Sequence, residues 1–242
     1  MRGLVGSRGF LVFTIAVGLL AAIKLLFDFY PGGFPLSDQA AAFTWPTIAA
    51  IVVLAALGLA ADRSLGFPEP FTDAKRESCG FWISIGLGAL YGVVTVARDL
   101  IDHGVHPNAT GADWDHLPLP WSIPFYTFGA IFLELFLRLG LLCVSVWLIH
   151  VALFRRRFRL IAFWLVACLV AAYEIMPYAS EDVAAQRWTA AALAPLEPLY
   201  WTNVLEAGLL LRFGWVAPIV FRLAFYLIWH VLYGGLWPGI VS

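Results

Sequence analysis

Charged residues are scarce in this sequence: Lys, Arg, Asp and Glu together make up 13% of its 242 residues, whereas 62% are hydrophobic. A soluble domain of this size would need far more polar surface, so the composition excludes that class and predicts an integral membrane protein built of helices. The lipid bilayer is therefore the first partner that we expect. The 15 basic and 16 acidic side chains nearly cancel, which argues against nucleic acid as a partner.

Cysteine is rare, and the familiar catalytic motifs are absent. The three cysteines, Cys79, Cys143 and Cys168, are odd in number, and two of them lie in apolar runs. We interpret them as small core residues and not as a disulfide framework or a zinc site. The sequence also has no P-loop, no dinucleotide-binding glycine fingerprint, no GxSxG and no HExxH.

Long apolar runs are what the sequence does contain. Their lengths, and the breaks at charges, Pro and Gly, predict seven spans. The sixth span is short and joins the seventh through a tight turn at Phe213-Gly214. The predicted fold class is an all-α, polytopic transmembrane helical bundle in a single integral membrane domain, residues 1–242. The predicted spans are roughly 10–27, 40–61, 80–97, 123–154, 160–178, 200–212 and 215–233.

The basic residues predict the orientation of this bundle. With the N-terminus in the cytoplasm, the outer loops hold only Arg98 and Arg187, which agrees with the positive-inside rule. The C-terminus then lies outside, and we expect a multi-pass protein of the cell membrane. Residues 1–120 form an N-terminal three-helix part with an outer loop at 98–122, and residues 123–242 form the core. The predicted cytoplasmic basic residues are Arg2, Arg8, Arg63, Lys75, Arg76, Arg155, Arg156, Arg157, Arg159 and Arg212.

The fourth span carries ionisable residues at its centre. Glu134 and Arg138 lie four residues apart, so both fall on one helical face where each can neutralise the other. Ser122 can cap the start of this helix, and Pro124 suits its first turn. Charged side chains in the middle of a span are costly, so they face other helices and often mark function.

Four further ionisable residues, Glu174, Glu206, Arg222 and His230, fall within other spans. Counted at helical rise from their cytoplasmic ends, Glu206 and Arg222 lie at a depth similar to that of Arg138. We therefore predict one structural charge cluster of Glu134, Arg138, Glu206 and Arg222, because unpaired charges at that depth would be prohibitive. In the alternative, Glu134 or Glu206 serves as a general base or ion ligand.

The two remaining ionisable residues are expected nearer the outer end. We interpret His230 as a hydrogen-bonded interface residue more readily than as a ligand, and Glu174 as a side chain that could reach water. The outer loop places His103, His106 and His116 among four aspartates, and these are acceptable zinc ligand types. Their spacing matches no specific zinc motif, so an ordinary solvated loop is preferred over a metal site.

Two segments resemble the CAAX-protease and bacteriocin-processing (CPBP) family of intramembrane metalloproteases. "GAIFLELFLRLGLLCVSVWLI", residues 129–149, is similar to the EExxxR helix of that family. "NVLEAGLLLRFGWVAPIVFRLAFYLIWHVLYG", residues 203–234, is similar to its final helical pair, in which a glycine turn leads into the HxxxN/D helix. "AFWLVACLVAAYEIMPY", residues 162–178, occupies the place of the FxxxH helix. The resemblance covers about the last half of the chain and implies a CPBP-like core.

The departures from the family pattern fall on its catalytic and ligand positions. The first, catalytic glutamate falls on Leu133, while the second glutamate and the arginine fall on Glu134 and Arg138. Pro177 falls on the histidine of the FxxxH motif. In the HxxxN/D motif, Arg222 falls on the histidine and Tyr226 on the Asn/Asp position, and His230 lies one turn further on. Neither Arg nor Pro ligates a metal, and leucine cannot act as a base.

Three functional hypotheses follow. The leading one is a non-catalytic membrane protein on a CPBP-like bundle, without a cofactor, that binds or scaffolds membrane proteins or hydrophobic peptides. The second is an intramembrane CAAX-type peptidase with a relocated site, in which Glu134 or Glu206 acts with His230 and zinc is the implied cofactor. The third is a small transporter or channel subunit whose buried charges line a polar path.

Overall fold

A computed structural model describes residues 7–30, 43–103, 116–117, 119–175, 195 and 198–236. All regular structure in these ranges is helical. Within them, five helices are long and apolar enough to cross a membrane, which confirms the prediction of a helical membrane protein. These five are Arg8–Phe29, Trp45–Leu65, Ala74–Ile101, Ser122–Val151 and Val216–Gly235.

The described ranges contain seven helical segments, each overlapping one predicted span. Two of them, with 17 and 16 residues, are shorter than the roughly 20 residues that a perpendicular span needs, so seven crossings are not established. We number the segments in chain order: α1 (Arg8–Phe29), α2 (Trp45–Leu65), α3 (Ala74–His103), α4 (residues 122–153), α5 (Arg159–Ile175), α6 (Pro198–Phe213) and α7 (residues 216–236).

Contacts between the connecting segments show that successive helices run in opposite directions. At one end, which we call the basic end, Arg159 Nη1 donates to the Leu65 carbonyl oxygen at 2.5 Å, and Arg8 donates to the Phe71 carbonyl. The predicted turn between α6 and α7 lies at the same end, where Gly214 has a φ of 92° that a side chain would strain. At the opposite end, which we call the histidine end, His116 contacts His230.

Helix α4 is the centre of the bundle and contacts α1, α2, α5 and α7. It is α-helical over Ser122–Glu134 and π-helical over Leu135–Cys143, and a second π-helical stretch, Leu148–Leu153, ends it. Helix α7 likewise changes from α-helical Val216–Tyr226 to π-helical Leu227–Leu236. Long π-helical stretches are rare, and π-turns are frequent at functional sites.

Helix α3 packs closely on α7 through Gly88. A Cβ atom at this position would lie 2.2 Å from the Phe221 carbonyl oxygen, so only glycine allows the two backbones to come this near. Four residues later, a Cβ atom at Gly92 would lie 2.7 Å from Cβ of the Ile228 side chain. This small-xxx-small spacing is typical of helix pairs in membranes, where packing replaces the hydrophobic effect.

Two local predictions are wrong. Ser122 does not cap α4: it is the first helical residue, the N-cap is Trp121, and no side-chain cap bond is formed. The third span is predicted to end at residue 97, but α3 continues to His103, so the first six residues of the predicted outer loop 98–122 are helical. The charge of Asp99 does not end the helix, because its side chain is buried and accepts a hydrogen bond from Tyr233 Oη at 2.6 Å.

Candidate functional site

Six polar side chains from four helices meet inside the bundle, and we call them the charge cluster. Helix α4 supplies two of them, α5 one, α6 two and α7 one. The five charged side chains are between 1% and 8% exposed, so the cluster is closed to solvent. Its members are Glu134, Arg138, Glu174, Asn203, Glu206 and Arg222.

Arg222 joins three helices by contacting all three carboxylates. Its Nε donates to Glu134 Oε1 at 2.5 Å, and its Nη2 donates to Glu206 Oε2 at 2.7 Å. Its Nη1 lies 2.9 Å from Glu174 Oε1. The planar guanidinium thus directs a separate nitrogen toward each carboxylate, an arrangement that lysine could not reproduce.

Arg138 faces the same carboxylates from α4. Its Nη2 donates to Glu206 Oε2 and, at 2.5 Å, to Asn203 Oδ1. Its other contacts are longer, with Nε 3.5 Å from Glu134 Oε2 and Nη2 3.8 Å from Glu174 Oε2. Glu206 therefore accepts from both guanidiniums, whereas Glu134 and Glu174 are held chiefly by Arg222.

This geometry favours pairing over proton transfer to a substrate. Each carboxylate is held within ion-pair distance of a guanidinium, whereas a general base needs a lone pair directed at the proton that it abstracts from the substrate. Within the part of the chain that the structure describes, no group of three or more His, Cys, Asp or Glu side chains is arranged to hold a metal ion.

The structure brings together the four residues assigned to the cluster from the sequence and adds two more. Glu174 does not reach water as expected: its side chain is 8% exposed and contacts Arg222. Counting residues along the span predicts that Glu174 lies near the outer end, but such a count does not reveal how α5 is positioned along its axis relative to the other helices. The signal in the sequence was the cost of a third carboxylate inside the membrane, which already required a partner. Asn203 was missed, although it lies one helical turn before Glu206 and so on the same face.

His230 belongs to a separate group at the histidine end. Its Nδ1 lies 3.2 Å from His116 Nδ1, and its ring stacks on Tyr126 with centroids 3.9 Å apart. Among the described residues His230 makes no direct hydrogen bond with Glu134 or Glu206, the two carboxylates that the relocated peptidase site would use. His230 is thus a hydrogen-bonded residue.

The three loop histidines do not share one environment that the structure can describe. His116 is 9% exposed and packs against Trp229 and His230, so the expectation of a solvated side chain is wrong for it. The reason is tertiary: the segment is held in place where the Leu117 N–H donates to Tyr126 Oη. The side chain of His103 and all of His106 lie outside the described residues, so a zinc site formed by the three stays untested.

A cleft of about 330 Å³ opens at the basic end between the start of α3, the end of α6 and the start of α7. Its lining includes no member of the charge cluster. The cleft therefore offers no path from Glu134 to this end, which the transporter hypothesis would need. Apolar side chains predominate in the lining, among them Phe71, Phe81, Phe213, Val216, Ala217 and Val220, and its polar members include Glu77 and Ser78.

Three of the positions that the sequence resemblance aligns with CPBP motifs, Glu134, Arg138 and Arg222, belong to the charge cluster. Leu133, which the resemblance aligns with the catalytic glutamate, directly precedes Glu134, and Arg222, which it aligns with the histidine of the HxxxN/D motif, contacts Glu134. Pro177, at the FxxxH histidine, lies outside the described residues. The chain matches no protein-family model, no curated protein and no solved structure.

Proposed function

We propose that this chain is a divergent, non-catalytic member of the CPBP family that binds or scaffolds membrane proteins or hydrophobic peptides. In this proposal it crosses the cell membrane seven times with its N-terminus in the cytoplasm. The observation that carries the proposal is the set of contacts that Arg222 makes with Glu134, Glu174 and Glu206. A guanidinium from the chain itself faces the carboxylates where a metalloprotease would direct a ligand.

The loss of catalysis follows from the chemistry of the residues present. A guanidinium has no lone pair for a metal, and Leu133 cannot activate a water molecule. The carboxylate that remains, Glu134, accepts a hydrogen bond from Arg222 at 2.5 Å and is fixed as an ion-pair partner. The charge cluster therefore acts as a tie between α4, α5, α6 and α7.

The cleft at the basic end is the binding surface in this proposal. Its volume of about 330 Å³ lies at the lower end of the roughly 300–1,000 Å³ of ligand pockets, so it suits a few apolar side chains and not a large substrate. Phe71 and Phe81 are about half exposed beside it, which leaves apolar surface for a partner. We assign it to an apolar segment of a membrane-bound peptide.

A peptide-binding experiment tests this assignment. The purified full-length chain in lipid nanodiscs is titrated with a fluorescent, leucine-rich helical peptide, with and without zinc. We expect saturable binding without cleavage. Ser78→Trp, which places a large side chain in the lining of the cleft, should weaken binding at least tenfold. Cys79→Trp, at the exposed neighbouring position outside that lining, should not.

Two outcomes would contradict the proposal. Zinc-dependent cleavage of the peptide, abolished by Glu134→Gln in protein that still folds, would show a working peptidase. Equal binding by the Ser78→Trp and Cys79→Trp variants would show that the cleft is not the binding surface and that the peptide only partitions into the surrounding lipid.

A further inference from the structure

The charge cluster contains one more acidic than basic group. Glu134, Glu174 and Glu206 contribute three carboxylates, whereas Arg138 and Arg222 contribute two guanidiniums. Within the described part of the chain, every ion pair of these carboxylates is made with Arg138 or Arg222. If all five groups were charged, the bundle interior would hold an uncompensated negative charge, which is prohibitively costly at this burial.

Within the described part of the chain, the further groups that interact with the cluster do not offset this charge. Tyr91 on α3 interacts electrostatically with Glu206, and Tyr226 on α7 with Arg222. Both are phenols, which are uncharged at neutral pH. Asn203 on α6 is also neutral and already accepts from both guanidiniums, at 2.5 Å and 3.3 Å.

Two buried carboxylate oxygens show where a compensating positive charge can bind. Glu134 Oε2 and Glu174 Oε2 have no hydrogen-bond partner among the described residues. Both face Arg138, but only at 3.5 Å and 3.8 Å, beyond normal hydrogen-bond length. Because unpaired buried acceptors are rare and costly, one of them is the natural site for a bound cation.

We propose that the charge cluster binds one proton, held by its three carboxylates as a unit. Glu134 and Glu174 each keep one oxygen that no hydrogen bond occupies, so the cluster has an acceptor for this proton. Uptake forms one O–H bond on a cluster carboxylate oxygen and breaks one O–H bond of a hydronium ion, which leaves a water molecule; no other bond changes. The cluster then contains two negative and two positive charges.

This proton-binding site goes beyond the proposed function and does not depend on it. A binding protein, a transporter or a peptidase on this bundle would each face the same excess of negative charge. An alkali cation could supply the same unit of positive charge, but it needs several oxygen ligands around it, whereas a proton needs one.

Proton linkage tests the proposal. The full-length protein in mixed micelles is unfolded reversibly between about pH 6 and pH 8, and wild type is compared with Glu174→Gln. If the cluster holds the proton only in the folded state, the unfolding equilibrium constant of wild type should rise about tenfold per pH unit relative to the variant, in which two carboxylates already balance the two guanidiniums. Infrared difference spectra should show one protonated carboxyl at pH 7 that Glu174→Gln lacks. Glu69→Gln, at an ion pair with Arg63 near the surface, should keep the wild-type slope.

Each other result overturns the proposal. Equal slopes for wild type and Glu174→Gln would exclude proton binding by the charge cluster. Equal slopes together with stabilisation by Na⁺ over choline at constant ionic strength would assign the charge to an alkali ion. Failure of Glu174→Gln to fold would also count against it, because glutamine has the shape and the neutral charge of the protonated side chain.

Discussion

At the scale of single residues, two arginines lie inside the bundle, where water is excluded, and the packing of four helices is built around them. Arg138 and Arg222 are almost completely buried, and a guanidinium at such a site is tolerable only if its nitrogens find acceptors. Glu206 and Asn203 supply acceptors to both. The consequence is mutual dependence: removing one partner leaves the others buried without compensation.

Arg222→Met should destabilise the protein by about 3–5 kcal/mol, because it keeps the apolar stem and leaves three buried carboxylates against one guanidinium. Reversible unfolding in mixed micelles measures the change. Arg212→Met is the matched control, since Arg212 is exposed near the end of the neighbouring helix α6. Equal stabilities for the two variants would mean that Arg222 does not hold the helices together.

Asn203→Leu should cost about 1–3 kcal/mol, although it increases hydrophobicity. The amide oxygen of Asn203 accepts from Arg138 and Arg222, and leucine would remove that acceptor from two buried donors. The same unfolding measurement applies. Combining Asn203→Leu with Arg222→Met should give less than the sum of the two losses, because the variants share one interaction. A strictly additive pair would contradict the described network.

At the scale of helices, apolar run length predicts where the segments lie, but charge is a poor guide to where they end. The sequence predicts that the third span ends at residue 97 and that Ser122 caps the fourth. In the structure α3 continues to His103 and Ser122 is already helical. Backbone hydrogen bonding continues past a charge whenever the side chain finds a partner, as Asp99 does with Tyr233. Such partners are not visible in a one-dimensional pattern.

The crossing of α3 and α7 gives a prediction at this scale. Gly88→Ala should destabilise the protein by about 1–3 kcal/mol, because the added methyl group would lie 2.2 Å from the Phe221 carbonyl oxygen. Gly86→Ala, two residues away on the same helix, meets nothing within 4 Å and should be neutral or stabilising by up to about 1 kcal/mol. Thermal unfolding in nanodiscs compares them, and a reversed order would be inconsistent with this crossing.

At the scale of the whole molecule, five segments are long and apolar enough to cross a membrane by themselves within the described ranges. The shorter α5 and α6 pack on each other and carry Glu174 and Glu206 into the charge cluster. Their polar side chains are compensated inside the protein, so the bundle does not require each of them to be a long apolar span. Seven crossings with a cytoplasmic N-terminus remain our proposal.

Cysteine labelling tests that topology. Cys79 is exposed near the start of α3 at the basic end, which the proposal places in the cytoplasm. A membrane-impermeant maleimide should therefore label it only after the cells are permeabilised. A single cysteine introduced at Asn108, in the outer loop predicted from the sequence, should be labelled in intact cells. Labelling of Cys79 in intact cells would show that the protein has the opposite orientation, with the basic end outside the cell.

The sequence by itself determined that this is a helical membrane protein, where its helical segments lie, and that Glu134, Arg138, Glu206 and Arg222 need partners. These properties depend on local quantities: run length, helical rise and the cost of a charge in hydrocarbon. Only the tertiary structure decided that Glu174 and Asn203 complete the charge cluster and that His230 pairs with His116. Such pairings depend on how the helices tilt and rotate against one another, and that is set by packing between segments distant in the chain.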